Sequence, residues 1–289
     1  MKFAFIRENL AAFDVAVMCE VFKVAPAGYY AWLTRPESPR ARRARELTEQ
    51  IRIVHHQTRG VYGSIKVAKE LRLRGHRVNR KTVARLMAGA GIRSKVSKKF
   101  RVRTTDSGHA NPVAPNTLDR KFAVEGLDQV WGADITYIHT DEGVLYLAGV
   151  MDLCSRRIIG WSMDDTMTTT LVDDALGMAI RSRGPAQGLL HHSDRGVQYT
   201  SGRYRELLDE RGIQASMSRT GDCYDNAVVE SFWGKLKTEM VYHERFATMA
   251  RARAAVFEYI EVFYNRQRLH AALGYVSPEQ FEASLLRPP

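Results

Sequence analysis

Residues 129–140 read QVWGADITYIHT. β-Branched and aromatic side chains dominate and proline is absent, so the stretch predicts a strand. Its misfit is Asp134. A carboxylate suits a half-buried strand centre poorly, so it either faces water or is neutralised by something cationic. Downstream, a turn at Asp141–Gly143 leads into VLYLAGVMD (144–152) and then RRIIGWSM (156–163). Three short strands on tight connections predict an antiparallel meander.

The pattern then alternates. Thr168 to Arg181 is helical, with Leu171, Leu176 and Ile180 on one face. GLLHHSD (188–194) is a strand ending in Asp194, Tyr204 to Arg211 a helix and IQASMS (213–218) a fifth strand. The stretch 225–242, DNAVVESFWGKLKTEMVY, is a helix. Its Val229, Phe232, Leu236 and Met240 form an apolar stripe, and Asn226, Glu230, Trp233 and Lys237 recur beside it at the same spacing. Met249 to Gln267 and Ser277 to Leu286 add two helices. This order predicts an α/β fold, a ribonuclease H-like mixed five-stranded sheet flanked by helices. In that fold strands one and four are neighbours and the last core helix crosses them. Asp134, Asp194 and Glu230 would then converge.

Three carboxylates without a thiol or imidazole partner form a hard, oxygen-only donor set. It suits Mg²⁺, with Mn²⁺ as a substitute. A pair of such ions serves in-line phosphodiester displacement. Asp152, at the end of the second strand, reads as a cap for Ser155, and His191 and His192 read as structural hydrogen-bonders. Asp164–Asp165 and Asp173–Asp174 read as turn and helix-start acids. Ser193 lacks the G-x-S-x-G surroundings of a hydrolase nucleophile.

Upstream, residues 1–120 hold 25 Lys and Arg against 9 Asp and Glu, a net of +16; the remainder holds 18 against 23, a net of −5. A front that attracts polyanions is therefore joined to a back that gathers carboxylates. Residues 1–46 predict a small helical unit, ending at Pro26–Gly28 and restarting on Tyr29, Tyr30 and Trp32, followed by a basic linker or the start of a helix. Residues 47–92 predict a helix-turn-helix region. Leu47, Ile51 and Val54 mark one helix; Ile65, Ala68 and Leu71 the second; Val83, Leu86 and Met87 the third. Gly60 and Gly63 bracket Tyr62 in a turn, Gly75 closes the second helix and Asn79 caps the third. Arg80, Lys81 and Arg85 on the other faces of the third helix are candidates to grip duplex DNA. Residues 93–122 predict a basic, Pro-containing linker, and residues 123–289 the catalytic core with its C-terminal helices.

Hydrophobic residues at 45% supply enough for a sizeable core. Cys19, Cys154 and Cys223 are widely spaced, which argues against a disulfide framework or a zinc site. The absence of a signal-like start and of a membrane-length apolar run predicts a cytoplasmic, nucleoid-associated protein.

WGADITYI, YLAGVMDLCSRRIIGWS, HSDRGVQYTS, GIQASMSRTGDCYDNAVVESFWGKLKTE and YNRQRLHAALGYVSPEQF resemble the catalytic subunit (OrfB) of DDE-type insertion-sequence transposases. That group is made from two reading frames and is similar to retroviral integrases. The resemblance extends through GVYGSIKVAKELRLRGHRVNRKTVARLM and MCEVFKVAPAGYYAW, nearly the whole chain. Residues 195–229 give the 35-residue spacing that this family keeps between its second Asp and its Glu. Val197 and Cys154 depart from the common Ser and Phe. The resemblance implies metal-dependent strand cleavage and strand transfer at terminal inverted repeats, with Asp134, Asp194 and Glu230 as ligands. It also implies DNA contacts at Lys237 and Asn226, a homo-oligomer on DNA, and a partner segment supplied by an upstream frame.

Overall fold

A computed structural model describes residues 1–95, 112–120, 122–219 and 226–286. The sheet is the expected one. Strand β1 (Val130–Thr140) pairs antiparallel with β2 (Gly143–Asp152), which pairs antiparallel with β3 (Ile158–Asp164). β4 (Leu190–Ser193) adds to β1 in parallel, from Val130 opposite Leu190 to Gly132 opposite His192. β5 (Gln214–Met217) adds to β4 in parallel, giving the order β3-β2-β1-β4-β5.

Before the sheet lie α1 (Lys2–Glu8), α2 (Val15–Val21), α3 (Pro26–Thr34), α4 (Pro39–Gln57), α5 (Ser64–Leu73) and α6 (Arg80–Gly89). Within and after it lie α7 (Thr169–Arg183), α8 (Gly202–Asp209), α9 (Ala227–Glu239), α10 (Met249–Phe257) and α11 (Pro278–Leu285). A π-helical stretch, Glu258–Tyr264, continues α10.

Period-2 alternation divides the core. Trp131, Ala133, Ala148 and Val150 face α7 and α8. Ile138, Leu145, Leu147 and Met151 face α9 and the C-terminal helices. The α9 stripe of Val229, Phe232, Leu236 and Met240 is fully sequestered there. Phe232 meets Tyr264 edge-on at 4.6 Å. The core on the α9 side continues into the front of the chain, through Leu47, Ile51, Tyr62, Val67, Leu71 and Val83.

Four expectations change. Pro26 does not end a helix; it occupies the first turn of α3, where its missing N–H costs nothing. The basic run before residue 47 is helix, because Ser38 caps α4 through its hydroxyl and Pro39 follows at the first position. On α5, Val67 replaces Ile65 on the buried face, and Ile65 is exposed. The stretch 112–120 is not a free tether. Leu118 is buried, Ser216 Oγ accepts from the Thr117 and Leu118 amides, and Met217 N donates to the Pro115 carbonyl. This stretch covers the β5 edge, where unpaired backbone groups would invite association. The rest of that linker at 96–111, together with Cys223 and Asp225, falls outside the described residues. Among the described residues no helix is long and apolar enough to cross a membrane.

Candidate functional site

Three elements bring the three acids within electrostatic reach of one another. Asp134 projects from the middle of β1, beyond the last β1–β4 pair. Asp194 follows the last residue of β4. Glu230 lies in the first turn of α9, where the helix dipole favours negative charge. α9 comes close because the sheet offers no side chain beneath it at two points. A Cβ on Gly132 would lie 2.8 Å from a Val229 methyl, and one on Gly149, opposite Asp134 in the register, 2.8 Å from the Trp233 ring.

Both Asp134 oxygens are held. Oδ1 accepts from the Ile135 amide at 2.8 Å, and Oδ2 accepts from the Trp233 indole N–H at 3.0 Å. Trp233 is buried. Asn226, also buried, donates its side-chain amide to the Ala133 carbonyl at 3.1 Å and pins the start of α9 to β1. Asp194 Oδ1 accepts from the Gly196 amide at 2.9 Å, which sets the turn after β4.

Burial, then the charge of Asp194 and, less, that of Glu230, push the Asp134 carboxyl well above the usual carboxylate range. Glu230 is exposed at the rim; partial burial and the Asp194 charge push its carboxyl up as well. Among the described residues no ion pair serves Asp134 or Glu230. Nor do any three His, Cys, Asp or Glu side chains there close into a ready metal cage. Asp134 thus feels both of the other acids, and Glu230 feels Asp194.

Lys237, two turns beyond Glu230, is half-buried with its ammonium 4.7 Å above the Tyr137 ring. Burial lowers its pKa, and the Asp134 charge opposes that shift. At Asp134 this attraction is outweighed by burial and by two carboxylates. Arg80, Lys81 and Arg85 are exposed on α6, away from the acids, and Asn79 caps that helix by accepting from the Thr82 amide at 2.8 Å. Asn226, expected to touch DNA, is buried, with its side-chain N–H on the Ala133 carbonyl.

Asp152, His191 and His192 have structural partners. Asp152 accepts from the Ser155 amide at 2.7 Å and the Asp128 amide at 2.8 Å. His192 lies between Ser216 and Ser218, and His191 bonds Tyr204 at 3.0 Å. Burial pushes His191 down to about 3, so it stays neutral. Asp173, expected as a helix-start acid, is buried inside α7 and meets Arg203 at 2.8 Å. The indole bond from Trp233 was not anticipated. Its signal was present, since Trp233 stands three residues after Glu230, on the same stripe.

Known families and relatives match the chain over most of its length. The integrase core domain family matches residues 125–223, a second integrase core domain family residues 230–286, and an HTH-like domain family residues 42–100. The transposase InsF for insertion sequence IS3A of Escherichia coli (strain K12) is 42% identical over 284 residues, 98% of each chain. An uncharacterized 31 kDa protein of insertion element IS600 from Shigella sonnei is 46% identical over 264 residues, 91% of this chain and 97% of that one. A chain of the simian T-cell lymphotropic virus intasome in complex with a PP2A regulatory subunit aligns with a TM-score of 0.49 at 16% identity. That alignment covers 82% of this chain and 75% of that one.

Proposed function

The chain belongs to the family of insertion-sequence transposases that includes InsF of IS3, and from that membership we propose that it cuts DNA strands at the ends of an insertion sequence and joins each freed 3′-hydroxyl to a target phosphodiester. The observation that carries this reading is Asp134: a held, enclosed carboxylate, facing two more acids, with no ion pair among the described residues. A structural acid in such a place would be paired. This one is left for a cation that comes with the reaction.

The donor set fits a divalent metal. All three side chains offer oxygen, and their repulsion is relieved by positive charge. Asp134, Asp194 and Glu230 would hold the ions. Mg²⁺ or Mn²⁺, bound as a pair, would supply activation of the attacking oxygen and stabilisation of the leaving one. The protein supplies position. The Ile135 amide and the Trp233 indole fix the Asp134 carboxylate, the Asn226 clamp and the apolar stripe of α9 fix Glu230, and the Gly196 turn fixes Asp194. Lys237 faces a terminal phosphate of the DNA. Arg80, Lys81 and Arg85 grip the duplex at terminal inverted repeats through its phosphates, which makes binding salt-sensitive. A homo-oligomer on DNA, a partner segment from an upstream frame and a place on the nucleoid belong to the same reading.

The test is a labelled duplex carrying the element's own end, incubated with the protein and Mg²⁺. Cut strands and strand-joined products are expected. Asp134→Asn, Asp194→Asn and Glu230→Gln should each abolish cutting while DNA binding stays near normal. Full activity in any of the three sinks the acid mechanism. Binding without cutting under every metal condition would make the chain a DNA-binding regulator, and cutting without joined product a nuclease.

A further inference from the structure

The helix-turn-helix region is seated on the C-terminal helices, on the end of α9 remote from Glu230. The seat is made by the turn between α4 and α5. Tyr62, in that turn, is 1% exposed. Its hydroxyl accepts from the Leu269 amide at 2.7 Å and donates to the Gln267 carbonyl at 3.3 Å. Arg59 pairs with Glu258 and lies 4.9 Å over the Phe263 ring. Lys66 lies 5.0 Å over the Tyr62 ring, and Lys69 4.9 Å over Tyr275. Under this seat, Glu239, the last residue of α9, takes two hydrogen bonds from Arg268, at 2.8 and 2.5 Å, and one from Tyr259. Burial and the nearby Arg268 charge push Lys66 down to about 7.

Apolar packing is non-directional; buried hydrogen bonds are directional and fix orientation. The Tyr62 hydroxyl has both of its bonds on backbone atoms of the opposing segment, so it admits one docking angle. On one side of the seat lies α6 with its exposed Arg80, Lys81 and Arg85; on the other lies α9, whose first turn, away from the seat, carries Glu230. We infer that the chain measures DNA: the Tyr62 seat holds α6 at one set distance from the acids, so the duplex segment gripped by α6 and the phosphodiester attacked by the same chain are separated by a fixed length. The inference rests on the proposed strand-cutting reading and adds Tyr62 as a positioning residue for the choice of cutting position.

The experiment uses the full chain with Cys223→Ser and Gly234→Cys, an exposed site on α9 whose Cβ meets nothing within 4 Å. An iron–EDTA reagent on the new thiol marks where α9 lies on a duplex of the element's own end, and footprinting marks where α6 lies. The expected result is one narrow window of cuts, on the duplex that α6 grips, at a constant offset from the footprint. Tyr62→Ala should spread that window while leaving the footprint affinity unchanged. Tyr62→Phe, which keeps the ring and loses both hydrogen bonds, should spread it less. A window equally narrow in both variants, a window already broad without them, or cuts confined to a second duplex would overturn the inference. Metal-dependent end cutting is read alongside on duplexes with a few base pairs inserted between footprint and end. Misplacement of the scissile phosphate should lower cutting by on the order of 10²-fold. A narrow window on a chain that never cuts refutes the proposed reaction and leaves the measured length standing; cutting that tolerates the insertions refutes the ruler alone.

Discussion

Helix α9 meets an acid network at each end, and the two are built in opposite ways. At its last residue, Glu239 is served by Arg268, Tyr259 and the nearby Lys66 charge. Burial alone would raise its carboxyl; the hydrogen bonds and charge of Arg268, then the Tyr259 hydroxyl, overturn that and hold it below the usual range. At its first turn, Glu230 meets Asp134 and Asp194. There burial and like charge act together, and Asp134 is held well above the usual range. One helix in one fold thus holds an acid that is fully answered and acids that oppose each other. On the proposed function, the difference separates holding the chain together from doing chemistry: perturbation by burial plus like charge gathers where a reaction needs it.

The comparison breaks most visibly if α9 is loosened as a whole. Phe232→Ala removes a wholly buried ring packed on Tyr264 and should cost about 3–5 kcal/mol. It touches no acid, yet it should also lower end cutting, because the stripe sets where Glu230 points. Urea unfolding beside the cutting assay checks both, and unchanged cutting in a folded Phe232→Ala chain would count against the helix as the carrier of geometry.

Glu239→Gln tests the answered end. Losing the charge beside Arg268 should cost about 2 kcal/mol near neutral pH. Because the folded carboxyl titrates below its ordinary value of 4.5, its contribution is fully present above 4.5 and is lost as pH falls through the lower folded value. The stability gap between the two chains should therefore close in acid. A gap that widens as pH falls would reverse the sign assigned here.

Trp233→Phe is the smallest change, removing one N–H from Asp134 and keeping most of the ring. Stability should move by about 1 kcal/mol. Cutting should fall by on the order of ten-fold, and the Mn²⁺ concentration for half-saturation, read by calorimetry, should rise, as when a bond orienting a metal ligand is lost. Unaltered Mn²⁺ binding would make Trp233 a packing residue only.

Much of this was legible in the chain. Asp134 was a misfit in its own strand, the ribonuclease H-like fold matched by the element order put β1 beside β4, and the stripe of α9 announced which side would be buried. The spacing of Asp194 and Glu230 added the family resemblance. What stayed hidden was pairing across elements. Nothing local in the chain says that Asn226 turns inward to the Ala133 carbonyl, or that Trp233 finds Asp134 through the gap left by Gly149. Nor does periodicity reveal that Tyr62, read as a turn residue, bonds a segment some two hundred positions later. Such partners depend on docking between helices and sheet, which periodicity does not encode. The edge-covering stretch at 112–120 was missed for the same reason: its polar, Pro-containing composition resembles a tether, and its function lies in hydrogen bonds to β5.

The central claim is that the acids at the start of α9 serve a reaction and not the fold. Urea unfolding and end cutting of Asp134→Asn, measured side by side, test it most directly. Cutting should be abolished while stability changes by no more than about 1 kcal/mol, because removal of a repelled, half-buried charge offsets the one N–H bond that the Asn amide cannot accept. Retained cutting, or a loss of stability of the size expected at Glu239→Gln, would contradict it.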